Sequence, residues 1–216
     1  MNRIVFCDFD GTITVEETFV AVLKKFSPQL SAILIPEIYA KRLTLREGVR
    51  QILESIPSKC YPEIIEFTRH QAIRPGFQEF LDFLDERKIP FVVVSGGLRG
   101  MVEAVLGDFA KRTMAIYAID VDTNGSHLIV HSEFEGDTEL MAKVQVIEKY
   151  IFSSGSLDTS LQAIAIGDSI TDLNMGLYAH AVFARDRLCQ YLDEYQKSYV
   201  HWNDFFDIKE YLINNS

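Results

Sequence analysis

Short apolar runs rich in β-branched residues alternate along the chain with longer stretches whose apolar positions recur at helical spacing. Ile4–Cys7, Phe91–Val94, Met114–Ala118, Ala163–Ile166 and Ala181–Ala184 read as strands. Several lack in/out alternation, as expected of strands buried on both faces of a parallel sheet. Between them, segments such as the one carrying Phe77, Phe80, Leu81 and Leu84 turn one apolar stripe toward a sheet. This alternation predicts an α/β fold with a parallel sheet and right-handed crossovers.

One connection is too long for that scheme. From Thr14 to Pro75 there is no strong strand, only helical stretches. Thr44-Leu45-Arg46-Glu47 has the spacing of a capping box opening a helix that runs to about Ser55. Pro57 and Pro62 interrupt the chain before a further helical run, Glu63–His70. Residues 15–74 are therefore expected to form a helical domain inserted after the first strand, with the core built from 1–14 and 75–216. A second excursion, Tyr117–His131, contains Thr123-Asn124-Gly125 and predicts a small β-hairpin after the third strand. It also opens like a calcium loop, with Asp120, Asp122, Asn124 and Gly125 in sequence, but His131 stands where that loop needs a glutamate.

Charge narrows the function. The 216 residues carry 21 Lys and Arg against 31 Asp and Glu, a net charge of −10. Nucleic acid is not an expected partner, because phosphate backbones are bound by clustered cations. An anionic substrate would need positive charge concentrated at its site. Cys7, Cys60 and Cys189 are odd in number and lie far apart, with no metal-binding spacing. The opening apolar run is too short for a signal-peptide core, and Ala32–Ile35 is too short to span a bilayer, so a cytoplasmic protein without membrane contact is expected.

The candidate chemistry lies where strands end, the edge at which open α/β sheets place their ligands. Strand one ends in Asp8-Phe9-Asp10-Gly11-Thr12, two carboxylates followed by a glycine that permits a sharp turn. Asp-Gly turns are common on any surface, but further signals follow. Strand two ends in Ser95-Gly96-Gly97, a hydroxyl beside free backbone N–H groups. Strand four ends in Gly167-Asp168 with Asp172 four residues on, and Lys143 opens a helical stretch before it.

Together these residues resemble the haloacid dehalogenase-like superfamily over essentially the whole chain. The resemblance implies a Rossmann-like sheet of order 5-4-1-2-3 with a helical C1 cap, as in phosphoserine phosphatases. It implies that Asp8 is the nucleophile of an aspartyl-phosphate mechanism and Asp10 the general acid and base. Thr12, Ser95, Gly96 and Lys143 would bind phosphate, and Asp8, Asp10 (through its carbonyl), Asp168 and Asp172 would serve Mg²⁺. Asp10 separates the chain from the dehalogenases and phosphonatases of the superfamily, which lack this second carboxylate. Transfer of phosphate to another acceptor, and a non-catalytic phospholigand-binding role, stay open at this level.

Leu43–Val49, Ile73–Phe77 through Phe91, and Val182–Asp186 are similar to the 2-hydroxy-3-keto-5-methylthiopentenyl-1-phosphate phosphatases of methionine salvage. The implied partner is a small phosphorylated metabolite, that ester first, with phosphoserine or a phosphocholine-like ester as alternatives, acted on by a monomer or homodimer. Glu17 and Arg46 are the candidates for reading the substrate from the cap, while Phe19, Phe26 and Tyr39 are expected in the cap core.

Overall fold

The computed structural model describes residues 2–152 and 160–215. Its sheet contains β1 (Asn2–Cys7), β2 (Phe91–Leu98), β3 (Ala115–Asp122), β4 (Ile129–His131), β5 (Leu161–Gly167), β6 (Ala181–Ala184) and β7 (Val200–His201). The strands lie in the order β4-β3-β2-β1-β5-β6-β7. Without β4 and β7 this is the expected 5-4-1-2-3 arrangement read from one edge. β4 is antiparallel to β3 and every other pairing is parallel. β7 is two residues long and pairs Val200 with Phe183, too short to leave a periodic signal in sequence.

Alternate residues of the central strands feed opposite faces of the sheet. Val5, Cys7, Phe91 and Val93 pack with α5 (Phe77–Arg87), α6 (Arg99–Leu106) and α10 (Phe205–Asn214). Ile4, Phe6, Val92 and Val94 pack with α7 (Lys143–Ile151), α8 (Leu173–Tyr178) and α9 (Asp186–Glu194). Both faces are covered, which explains the continuous apolar runs.

Between β1 and α5 the chain forms α1 (Phe19–Phe26), α2 (Pro28–Tyr39), α3 (Leu45–Glu54) and α4 (Tyr61–Thr68). The capping box at Thr44 and Glu47 is formed in both directions. The segment leaves and returns at one point, where Thr14 bridges Ile73 and the Val15 N–H donates to the Ala72 carbonyl at 2.9 Å. Its core (Val22, Leu23, Ile52, Leu53, Ile64) continues into Leu98, Met101, Ile119, Leu128, Val130 and Leu140 of the remaining chain.

The hairpin differs from a tight Asn-Gly turn. Asp122 pairs with Ile129, so residues 123–128 form a longer loop. The reason is packing: Leu128 is 1% exposed in the helical cluster. The loop also hydrogen-bonds that segment, Ser58 N–H to the Ser126 carbonyl at 3.1 Å and Leu128 N–H to the Ile56 carbonyl at 3.0 Å. A two-residue turn would leave Leu128 in water. His131 pairs with Asp120 across the ladder, as in a hairpin and not a calcium loop.

Candidate active site

The Asp8 N–H still pairs with the Ile166 carbonyl at 2.9 Å, and beyond it the chain turns sharply away from the sheet. Gly11 makes that turn with φ +83°, and a Cβ there would stand 2.7 Å from Asp168 Oδ2. Only glycine satisfies both the backbone angle and the approach. The turn is clamped from beneath by Arg74, whose guanidinium donates to the carbonyls of Gly11 (2.6 Å), Thr12 (2.8 Å) and Thr14 (3.1 Å). Arg74 in turn lies over the Trp202 ring.

Lys143, at the first turn of α7, is 2% exposed and donates to Asp8 Oδ1 at 2.5 Å and to Asp172 Oδ1 at 2.6 Å. Asp172 Oδ2 accepts the Asp168 and Ser169 N–H groups, each at 3.0 Å. A Cβ on Gly167 would meet Asp172 Cγ at 2.5 Å, so glycine is required for Asp172 to fold back beneath β5. Asp168 Oδ1 accepts the Thr12 hydroxyl at 2.9 Å. Carboxylate oxygens of Asp8, Asp168 and Asp172 lie within 4.8 Å of one another.

Three buried carboxylates face one ammonium, so the cluster lacks positive charge. Burial first, then Asp172, holds the Asp8 carboxyl well above the ordinary range. Burial and Asp172 likewise push Asp168 up to about 7. Burial works against the charge of Lys143, but Asp172 and Asp8 more than offset it and raise its pKa. An oxygen-only donor set short of positive charge fits a hard divalent cation.

Asp10 faces another way. Its two carboxylate oxygens accept the N–H groups of Thr18 (2.6 Å) and Phe19 (2.9 Å) at the start of α1. Burial pushes this carboxyl up to about 6 against the pull of those two bonds. A carboxyl near neutrality can both give and take a proton.

A pocket opens over this group. Asp8, Asp10, Lys143, Gly96 and Gly97 form its charged end. Phe19, Val20, Leu23, Ile35, Val49 and Leu140 form an apolar arm between the helical segment and the core. Glu17 borders it, as does Tyr39, 64% exposed. Tyr39 thus faces the pocket, contrary to its expected place in the cap core, whereas Phe19 borders the pocket and also packs on the helical cluster, as does Phe26, which meets Phe67.

Thr12, Ser95, Asp168 and Asp172 lie behind the pocket surface. Ser95 is buried beneath Gly97, whose N–H it accepts at 3.0 Å. β2 continues through this stretch with a register shift between Val94 and Leu98, a bulge of the kind that re-aims backbone beside active sites. Arg46 does not border the pocket. Its guanidinium donates to the Gly136 carbonyl at 3.2 Å and its N–H to the Thr138 carbonyl at 2.8 Å. Sequence reasoning assigned no role to Arg74, Glu139 or Arg187, the last two of which border the pocket. Arg74-Pro75-Gly76 was a visible signal; Glu139 and Arg187 had none.

The family model for haloacid dehalogenase-like hydrolases matches residues 5–176, most of the chain. The chain belongs to the haloacid dehalogenase-like hydrolases. Within that family it is a phosphatase. It is 49% identical over 215 residues to a 2-hydroxy-3-keto-5-methylthiopentenyl-1-phosphate phosphatase of Microcystis aeruginosa, covering 99% of both chains. A protein of the same description from Bacillus cereus (strain AH820) is 35% identical over 213 residues, 98% of this chain and 96% of that one. Among solved structures, a substrate-bound phosphoserine phosphatase complex superposes with a TM-score of 0.71 over 98% of each chain, at 18% identity, a likeness of fold. Among the described residues, no helix is long and apolar enough to cross a membrane.

Proposed function

We propose that this phosphatase hydrolyses the ester of a small metabolite with an apolar tail, and that the ester is 2-hydroxy-3-keto-5-methylthiopentenyl-1-phosphate. The observation that carries the choice is the lining of the pocket, which joins Asp8, Asp10 and Lys143 to the apolar side chains of Phe19, Val20, Leu23, Ile35, Val49 and Leu140. A methylthio tail loses little by leaving water for such an arm. The carboxylate of phosphoserine would be stranded there at a large desolvation cost.

In this reading Asp8 attacks phosphorus, and its new O–P bond forms as the ester O–P bond breaks. Asp10 gives its proton to the departing oxygen, then accepts one from the water that hydrolyses the aspartyl phosphate. Lys143 holds Asp8 in line and adds positive charge, and Asp172 holds Lys143. Asp8, the Asp10 carbonyl and Asp168 would hold Mg²⁺, with Asp172 supporting through Lys143. When bound, the metal supplies charge to neutralise the phosphoryl oxygens. Gly96 presents backbone to the phosphate, while Thr12 and Ser95 shape the loops around it. Residues 15–74 act as a cap that carries most of the arm, with Glu17 at its edge.

Phosphate release with Mg²⁺ tests the assignment. The expected kcat/KM for the methylthiopentenyl ester exceeds that for phosphoserine by about 100-fold or more, ~2.7 kcal/mol of barrier. Equal or better turnover of phosphoserine would overturn the substrate assignment.

A further inference from the structure

Glu139 stands where the charged end of the pocket meets its apolar arm. It borders the pocket together with Leu140 and Met141, and a single residue, Ala142, separates the latter from Lys143. The fields of Lys143 and Asp172 both reach its carboxyl. The other polar side chains there are engaged or exposed. Asp8 and Lys143 bond each other, Asp10 is held by two N–H groups, and Ser169 and Thr171 pair at 3.0 Å. Glu17 and Arg187 are exposed. Glu139 is half-buried, and among the described residues no donor meets its carboxylate.

Its support is rigid. The Glu139 carbonyl accepts the Gly136 N–H at 2.9 Å, and the Ala142 N–H donates to the Phe134 carbonyl at 2.7 Å. Arg46 pins the same loop from α3 through Gly136 and Thr138. Leu140, 4% exposed, anchors the next residue in the cap cluster.

A carboxylate beside a phosphate site repels the substrate unless it takes something in return. Ionised, it only accepts hydrogen bonds. On an ester carrying phosphate, ketone, thioether and hydroxyl, the hydroxyl is the one strong donor. We propose that Glu139 is a specificity-determining residue that accepts a hydrogen bond from the hydroxyl on the carbon next to the phosphorylated one. The inference rests on the reading of the chain as a phosphatase of a hydroxylated, apolar-tailed ester.

Three esters test it with Mg²⁺: pentyl phosphate, 2-hydroxypentyl phosphate and 2-aminopentyl phosphate. A hydrogen bond to a charged group predicts a wild-type preference of about tenfold or more in kcat/KM for the hydroxy ester over pentyl phosphate. Glu139→Ala should reduce that preference to about twofold or less, while Glu139→Gln, which keeps an acceptor oxygen, retains part of it. Equal loss on both esters, showing a role in loop structure only, would overturn the proposal, as would an unchanged preference or a wild-type preference for the amino ester. Failure of wild type to hydrolyse any of the three would instead strike the underlying reading of the substrate, and the proposal with it.

Discussion

Replacing Lys143 by Met keeps the length of the side chain and removes its charge. In the native cluster this ammonium is 2% exposed and bonds both Asp8 and Asp172. Removing one partner of a buried ion pair costs about 3–5 kcal/mol, because the other charge is left without compensation. For a chain of this size that lowers Tm by roughly 6–20 °C in the metal-free protein. The loss should depend on pH. A carboxyl whose folded pKa is raised, such as Asp168 at about 7, binds its proton more tightly folded than unfolded. Its contribution is complete at low pH and disappears as pH rises through the folded value. The Tm gap between variant and wild type should therefore be widest above pH 7 and shrink toward pH 5. Turnover should fall by about 100-fold or more, the usual consequence of losing one preorganised electrostatic group. The single tryptophan, Trp202, is 1% exposed, so its fluorescence can follow unfolding. A variant with Tm within about 2 °C of wild type and kcat within about tenfold, ~1.4 kcal/mol, would refute the reasoning.

Asp8→Asn should keep the fold and abolish steady turnover, as the amide lacks the nucleophilic oxygen; activity within about tenfold of wild type would remove Asp8 from that role. Asp10→Asn should slow alkyl esters by about 10²–10⁴-fold and p-nitrophenyl phosphate much less, since p-nitrophenolate leaves without a proton; equal losses would count against Asp10 as the acid. Chelation should stop turnover and Mg²⁺ restore it, with Ca²⁺ inhibiting through its looser coordination. Because protons compete for Asp8 and Asp168, whose carboxyls are raised by burial and by Asp172, Mg²⁺ should bind more tightly as pH rises from 6 to 8. Affinity that is flat or falls over that interval, measured by calorimetry, would contradict the donor set.

The sequence by itself determined the sheet and placed the candidate catalytic carboxylates at its edge. Its strands are buried on both faces, so their apolar runs stand out without any knowledge of neighbours, and strand ends follow at once. Asp8, Asp10, Asp168 and Asp172 sit within five residues of those ends, where short-range rules can read them. The capping box at Thr44 and Glu47 is local in the same sense, and α3 starts where it predicts. What only the tertiary structure decided is what faces what. The pocket arm uses ordinary apolar residues, Val20, Ile35, Val49 and Leu140, chemically identical to core positions in sequence. Arg46 carries the same charge whether it meets a substrate or, as here, the carbonyl of Gly136. Asp10 turns to the N–H groups of Thr18 and Phe19, and the hairpin loop lengthens to bury Leu128 against helices far away in the chain. Periodicity encodes how a segment divides itself between water and core. It does not encode which other segment supplies the opposite wall, and in this molecule residues 15–74 supply most of the apolar residues that line the pocket beside Asp8 and Lys143.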